Sequence, residues 1–242
     1  LASFVFAVLP MSAFFGRHVN FEPIAIFFIL AVILLYQRWM AGSGRGRLAL
    51  LSAVYAVAML SDWPAYFLAG LLPVHHLLVR RRLGSSWIFP LISAVVLAVH
   101  LLHAYWLDPM ALSRAFYFLL LWSGLQPQDA LSGLPGELLK YSAFHYAWVI
   151  GNRMILLFTI PALMAACVGL WPLVREIRAG GPRRENALLV LALLLTALAN
   201  NVLFFKSLYV HLFWSHYMVV PIAILAGLAA GWIEGGGGAA ER

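Results

Sequence analysis

Long apolar stretches alternate with short polar ones along the whole chain. The run LASFVFAVLPMSAFF precedes the polar segment GRHVNFEP at 16–23, and the run IAIFFILAVILL follows it. A membrane-spanning helix needs about 20 mostly apolar residues. By this measure the sequence predicts apolar helices at 1–14, 23–40, 47–61, 63–79, 87–107, 149–173, 186–205 and 212–233.

Two of these predicted helices, 47–61 and 63–79, are short for independent spans. We expect them to form a hairpin that turns at Ser61 to Pro64, because proline suits the first turn of a helix, where its missing N–H would have no partner. The predicted fold is therefore an all-α polytopic membrane protein with about seven to eight transmembrane helices. The transmembrane region covers 1–233, and the glycine-rich segment 234–242 is predicted to be a flexible tail.

One longer connection, 108–148, interrupts the series of spans. Asp108 can cap a helix and Pro109 can occupy its first position, so an interfacial helix that lies on the membrane surface is predicted to begin there. The chain begins with Leu1 and its first apolar run has no basic flank, so we expect it to be part of a longer protein.

Composition supports the membrane assignment, since 64% of the residues are hydrophobic and 10% are charged, against about 25% charged in soluble domains. If the spans alternate, eleven of the 16 Lys and Arg residues fall on the side opposite to GRHVNFEP. The positive-inside rule makes that side cytoplasmic and puts GRHVNFEP outside. The formal charge of +7 therefore reflects topology rather than nucleic-acid binding.

Polar side chains gather at the helix ends that are predicted to face outside. Ionisable residues at such positions are candidates for function, because their burial is costly. The candidates are Arg17, His18, Asn20, Glu22, Asp62, Trp63, Lys206, His211, His216 and Tyr217.

Structural explanations compete with a functional one at each of these positions. Carboxylates stabilise helix N-termini, and Asn20 and Asp62 are residue types that cap helices. Arg17 can extend toward headgroup phosphates, and His211, His216 and Tyr217 can anchor a helix at the interface. Other histidines are expected to have structural roles, with His100 and His103 as packed polar residues and His75 and His76 in contact with lipid headgroups.

A metal site finds little support in the sequence, and no cofactor is predicted. There is no HExxH or similarly close ligand spacing, although a site built from His and Glu is chemically possible. The single cysteine, Cys167, can form neither an intramolecular disulfide nor a cysteine zinc site.

Three segments resemble the GT-C-fold integral membrane glycosyltransferases, which include protein O-mannosyltransferases and lipid A aminoarabinose transferases. The first runs from Pro10 through FFGR at 14–17 to Glu22 and Pro23, followed by a long apolar helix. The second is the hairpin AVAMLSDWPAYFLAGLLPVHHLLVRRR, and the third is HLFWSHYMVVPIAILAGLAAG. Together they cover most of the chain in the same order.

The resemblance implies a sugar transfer on the periplasmic or external side of a prokaryotic inner or plasma membrane. The donor would be a polyprenyl-phosphate-linked sugar, and the acceptor a hydroxyl of a protein, lipid or glycan. The family's principal catalytic acid lies in a first external loop that this chain does not contain. The resemblance therefore implies a partial transferase whose first helices and catalytic base precede Leu1.

The candidate residues fit parts of this implied chemistry. A departing phosphate needs cations, which Arg17, Lys206, His211 and His216 can supply. Glu22 and Asp62 can accept hydrogen bonds from hydroxyls, while Trp63 and Tyr217 can stack on a sugar. His18 and Asn20 lie in the same loop, which we expect to form one wall of the site.

Two other functions remain open at this point. A transporter or flippase of a lipid-linked substrate would place paired ionisable groups near the bilayer midplane, in helices broken by Gly or Pro. A non-catalytic membrane subunit would need no first external loop.

Overall fold

The structure is a computed structural model that describes residues 1–15, 21–42, 44–110, 112–114, 116–117, 143–204 and 212–235. Its α-helices are α1 (Ala2–Val8), α2 (Pro10–Phe15), α3 (Phe21–Ala41), α4 (Arg45–Ser61), α5 (Leu68–Arg80), α6 (Ile88–Leu107), α7 (Ala143–Phe158), α8 (Ile160–Ala179), α9 (Pro182–Leu203) and α10 (Val219–Glu234). Short 3₁₀ helices at Trp63–Phe67, Gly84–Trp87 and Leu212–Met218 precede α5, α6 and α10.

Five helical segments within the described residues are long and apolar enough to cross a membrane. They are Glu22–Ala41, Gly84–Leu107, Ile160–Ala179, Arg183–Leu203 and Trp214–Glu234. The prediction of an all-α membrane protein agrees with this architecture, but the predicted number of seven to eight spans does not. The difference comes from apolar runs that the structure breaks or shortens.

The predicted helix 1–14 is broken at Leu9, which has an extended backbone (φ −59°, ψ 134°) between α1 and α2. A residue directly before a proline rarely adopts the helical backbone conformation, and Leu9 directly precedes Pro10. Each resulting helix is far too short to span: α1 has 7 residues and α2 has 6.

The predicted helix 149–173 is broken in the same way, at Thr159. This residue has a positive φ of 63°, and Pro161 follows in the first turn of α8. In an uninterrupted helix the proline ring would collide with the carbonyl group four residues earlier. The chain therefore forms α7, with 16 residues, and a separate spanning helix α8.

The turn predicted at Ser61 to Pro64 is confirmed, but its two arms do not pair as a hairpin, because α4 packs against α3 and α6 while α5 packs against α6 and α9. Helix α4 ends at Ser61, Asp62 is extended, and Pro64 lies in the first turn of the following 3₁₀ helix. The Asp62 side chain caps that helix, because its Oδ1 accepts a hydrogen bond of 2.7 Å from the backbone N–H of Trp63. With 17 residues in α4 and 13 in α5, neither arm reaches the length of an independent span.

The start of the predicted interfacial helix is also visible. The backbone N–H of Met110 donates to Asp108 Oδ1 at 2.9 Å, and Arg114 pairs with the other carboxylate oxygen at 3.1 Å. Most of the predicted interfacial helix, and residues 236–242 of the predicted tail, lie outside the described residues.

Helices α8 and α10 approach each other closely at Gly169. A Cβ atom placed on Gly169 would lie 1.9 Å from the carbonyl oxygen of Leu225, so only glycine permits this approach of the two backbones. On a neighbouring turn of α10, Gly227 makes similar room for Ala2 of α1. Small residues at such crossings are typical of membrane helices, where van der Waals packing takes the place of the hydrophobic effect.

The two ends of the bundle carry different polar groups. One end, here called the arginine end, joins the last turns of α3 and α5 with the first turn of α9. Arg80 donates to the carbonyl oxygen of Met40 at 2.6 Å, and Gln37 donates to Asn186 at 3.1 Å. The other end, here called the carboxylate end, holds Glu22 and Asp62.

His75 lies in the interior near the arginine end, with 3% of its surface exposed. Its Nδ1 is 2.9 Å from the Tyr36 hydroxyl and its Nε2 is 3.0 Å from the Glu185 carbonyl oxygen. One imidazole thus connects α3, α5 and α9, and its Nε2 carries a proton because a carbonyl oxygen can only accept. The prediction that His75 contacts lipid headgroups is wrong.

The same correction applies to His76, which is 7% exposed. Its Nδ1 lies 2.8 Å from the carbonyl oxygen of Arg82, and its ring stacks on Trp39 with centroids 5.2 Å apart. A face of α5 that the sequence pattern assigns to the membrane surface is in fact packed against α3.

Substitution of Gly169 by Ala is expected to destabilise the protein by about 1–3 kcal/mol, because the new Cβ meets backbone that cannot move aside. Gly151 of α7 is the matched control, since nothing lies within 4 Å of the Cβ position there. Gly151→Ala should be neutral or slightly stabilising. Thermal unfolding in detergent micelles compares the two variants, and equal midpoints would contradict the close α8–α10 contact.

Candidate functional site

The carboxylate end is formed by three segments that are far apart in sequence. These are the first turn of α3, the junction between α4 and the 63–67 3₁₀ helix, and the 212–218 3₁₀ helix. The 212–218 segment contacts α3, and the 63–67 segment contacts both α3 and α9. The fold thereby brings together Glu22, Asp62 and Tyr217, which the sequence analysis selected separately.

Asp62 is held from two sides. Its Oδ2 accepts a short hydrogen bond from the Tyr217 hydroxyl, while Oδ1 caps the following 3₁₀ helix as described above. Tyr217 is only 6% exposed, so this bond is shielded from water. Burial raises the pKa of the Asp62 carboxyl, and the hydrogen bonds from Tyr217 and from the Trp63 N–H oppose that rise.

Glu22 lies beside this pair in the first turn of α3. Its residue surface is 5% exposed, and the charge of Asp62 acts on it. The Oε2 atom is buried and has no hydrogen-bond partner among the described residues. A buried carboxylate oxygen without a donor is costly, so this position favours the arrival of a hydroxyl, an N–H or a water molecule.

A second buried polar group without a described partner lies one residue before Tyr217. His216 is 3% exposed, and its Nδ1 makes no hydrogen bond to any residue within the described ranges. On α9, Asn200 is 1% exposed and its amide nitrogen is 3.5 Å from the Trp214 carbonyl oxygen. The 212–218 segment thus presents an imidazole to the interior rather than to the membrane interface.

A cavity of about 190 Å³ opens on the other side of Asp62. Its walls are formed by Met59, Leu60, Ser61, Asp62, Trp63, Tyr66 and His100. The rings of Trp63 and Tyr66 lie 5.6 Å apart at an angle of 38°, which gives this cavity an aromatic side. Asp62 therefore contacts two environments, the buried group of Glu22 and Tyr217 and this partly open cleft.

Two ring-bearing residues of the cleft, Tyr66 and His100, are missing from the candidates selected by sequence. Tyr66 follows Trp63 by three positions, and side chains with that spacing are eclipsed in a 3₁₀ helix. The pattern WPAY therefore predicts that the two rings are neighbours, but only once the segment is known to be a 3₁₀ helix. His100 was expected to be a packed polar residue of α6. Its place in the cleft depends on how α6 packs against α4, which periodicity does not reveal.

The remaining candidates divide into two groups. Trp63 lies in the cleft wall with 46% of its surface exposed. The residues Arg17, His18, Asn20, Lys206 and His211 lie outside the described residues. The phosphate contacts of Arg17, Lys206 and His211, and the place of His18 and Asn20 in the wall of the site, therefore stay predictions. Within the described ranges there is no group of three His, Cys, Asp or Glu residues that could hold a metal ion.

Comparison with known proteins gives no match to a protein family, to a curated protein or to a solved structure.

The hydrogen bond between Tyr217 and Asp62 should be measurable as an energetic coupling. Tyr217→Phe and Asp62→Asn are each expected to lower stability, and the double variant should lose less than the sum of the two. A charge-assisted bond of this kind corresponds to a coupling of about 1.5–3 kcal/mol. Unfolding in detergent micelles gives the free energies of unfolding of the unmodified protein, the two single variants and the double variant.

The control for this cycle pairs Asp62→Asn with Tyr55→Phe. The Tyr55 hydroxyl is bonded to Ser93 at 2.8 Å and not to Asp62, so these two changes should be additive. Additive effects in the Tyr217 and Asp62 pair as well would contradict the hydrogen bond.

Proposed function

We propose that this chain forms the membrane part of a glycosyltransferase that moves a sugar from a polyprenyl-phosphate carrier to an acceptor hydroxyl. The observation that carries the proposal is the convergence of Glu22 and Asp62 at one end of the bundle. Glu22 there offers a buried carboxylate oxygen that no described residue satisfies. Hydroxyl-rich ligands supply the donors that such an oxygen needs.

In this proposal the two carboxylates have different tasks. Glu22 accepts a hydrogen bond from a hydroxyl of the sugar or the acceptor. Asp62 has both oxygens engaged, one by Tyr217 and one by the Trp63 backbone, so it holds the turn and the aromatic side of the cleft in place. Trp63 and Tyr66 offer apolar ring faces, on which the C–H groups of a pyranose can pack.

The reaction requires attack of the acceptor oxygen on the anomeric carbon while the bond to the lipid phosphate breaks. Charge accumulates on the departing phosphate, and cations close to it lower the barrier. Arg17, Lys206 and His211 are the residues that we propose for that task. The catalytic base is not assigned to any residue of this chain, in line with the family that it resembles.

The location of the carboxylates favours a transferase over a transporter. Transporters bind their substrates near the bilayer midplane, at broken helices. Glu22 belongs to the first turn of a spanning helix and Asp62 to the turn between α4 and the 63–67 3₁₀ helix, so both lie at helix ends. The distribution of Lys and Arg favours the external side for this end, and lipid-linked sugars are used on that side in the family that the chain resembles.

The proposal is tested by an assay of sugar transfer in native membranes that contain the protein. Glu22→Gln replaces the carboxylate by an uncharged amide. Asp62→Asn weakens the hydrogen bond from Tyr217 that holds the turn. Each is expected to lower transfer from a radiolabelled polyprenyl-phosphate sugar by about a hundredfold, a magnitude typical of a misplaced substrate. Protein abundance in the membrane should be unchanged for Glu22→Gln, and transfer by Asp62→Asn is divided by protein abundance because that change also lowers stability.

Glu234→Gln is the matched control, because it is the same chemical change at an exposed residue that ends α10. It should transfer sugar at the rate of the unmodified protein. Normal transfer by both the Glu22 and the Asp62 variants would eliminate this site assignment.

A further inference from the structure

A cleft of about 470 Å³ lies at the arginine end, where α3 and α4 meet. It is lined by Leu35, Arg38, Ala41, Arg47 and Leu50. The lining combines two guanidinium groups with aliphatic side chains and contains no carboxylate. The cleft lies at the opposite end of α3 from Glu22, so it is separate from the proposed transferase site.

Arg47 is fixed in this cleft by the end of α3. Its Nη1 donates to the carbonyl oxygens of Arg38 at 3.1 Å and of Gly42 at 3.0 Å. These carbonyls belong to the C-terminal turn and its cap, where the helix itself supplies no donors. Gly42 makes the arrangement possible, since a Cβ atom there would lie 2.6 Å from Nη1.

The guanidinium of Arg47 retains donors after this capping. Arginine carries five N–H groups in a planar fork, and the two on Nη1 account for the two carbonyl bonds. The edge formed by Nη2 and Nε has no hydrogen-bond partner among the described residues. That edge is the one that pairs side by side with two oxygens of a phosphate or carboxylate.

Arg38 adds a second positive charge to the same cleft. Its side chain is exposed and makes no ion pair with any described residue. Two like charges beside one cleft repel each other, and an anion between them removes that repulsion. The cleft also has apolar walls, which are formed by Leu35 of α3 and Leu50 of α4. Leu50 is 54% exposed.

From this combination we infer that the α3–α4 cleft binds the phosphate group of an acidic phospholipid. The phosphate oxygens pair with the free edge of Arg47 and with Arg38, while an acyl chain lies along Leu35 and Leu50. Apolar walls next to a cationic pair fit a lipid better than a free phosphate ion. Such a lipid would hold the last turn of α3 against the first turn of α4 at the membrane surface.

The experiment measures binding of phosphatidylglycerol to the purified chain in neutral detergent micelles, by native mass spectrometry and by the shift of the thermal midpoint. Phosphatidylcholine with the same acyl chains is the zwitterionic comparison, and inorganic phosphate is the soluble one. Arg38→Gln should weaken phosphatidylglycerol binding by about five- to tenfold, the effect of one charged contact at a membrane surface. Its midpoint without lipid should not fall, because the Arg38 side chain makes no hydrogen bond to described residues and its loss relieves the repulsion of Arg47.

Arg45→Gln is the matched control, since Arg45 lies in the same first turn of α4 but does not line the cleft. It should bind phosphatidylglycerol like the unmodified chain. Equal weakening by Arg38→Gln and Arg45→Gln would overturn the site in favour of diffuse attraction. An equal midpoint shift with inorganic phosphate would overturn the assignment of the anion to a lipid.

Discussion

A polar group that enters the hydrocarbon region of a membrane must find its hydrogen-bond partners within the protein. His75, in the interior near the arginine end, follows that constraint. It uses both ring nitrogens, one with Tyr36 and one with the backbone of Glu185, and so joins three helices through one side chain. Both polar atoms of this imidazole are satisfied, which is what a purely structural role requires.

The carboxylate end differs in this respect. Asp62 is fully engaged by Tyr217 and by the backbone, but Glu22 Oε2 and His216 Nδ1 are buried without a described partner. Buried groups of this kind are unusual in folded proteins, and each one calls for an explanation. Glu22 Oε2 differs from other buried atoms without a described partner, such as Ser52 Oγ and Trp232 Nε1, because it belongs to an ionisable group beside a second carboxylate. That combination is the structural basis for placing a ligand next to Glu22 and Asp62.

Hydrophobic pattern predicted the class of fold because the length of an apolar run decides whether a helix can span. It also predicted the turn at Ser61 to Pro64, since Asp62 and Pro64 act through local backbone chemistry. The same pattern gave too many spans, because a proline breaks the run 1–14 at Leu9 and because the helices α4 and α5, with 17 and 13 residues, are too short to span. The burial of His75 and the place of His100 arise from helix packing, and no local signal carries that information.

The central claim is that a lipid-linked sugar binds at the carboxylate end. Photo-crosslinking in native membranes tests it directly, with benzoylphenylalanine at Trp63 or at Trp87. Both side chains are exposed, by 46% and 57%, and they lie at opposite ends of the bundle. The account predicts that a radiolabelled polyprenyl-phosphate sugar is captured at position 63 and not at position 87. Equal capture at both positions, or capture at 87 alone, would contradict it.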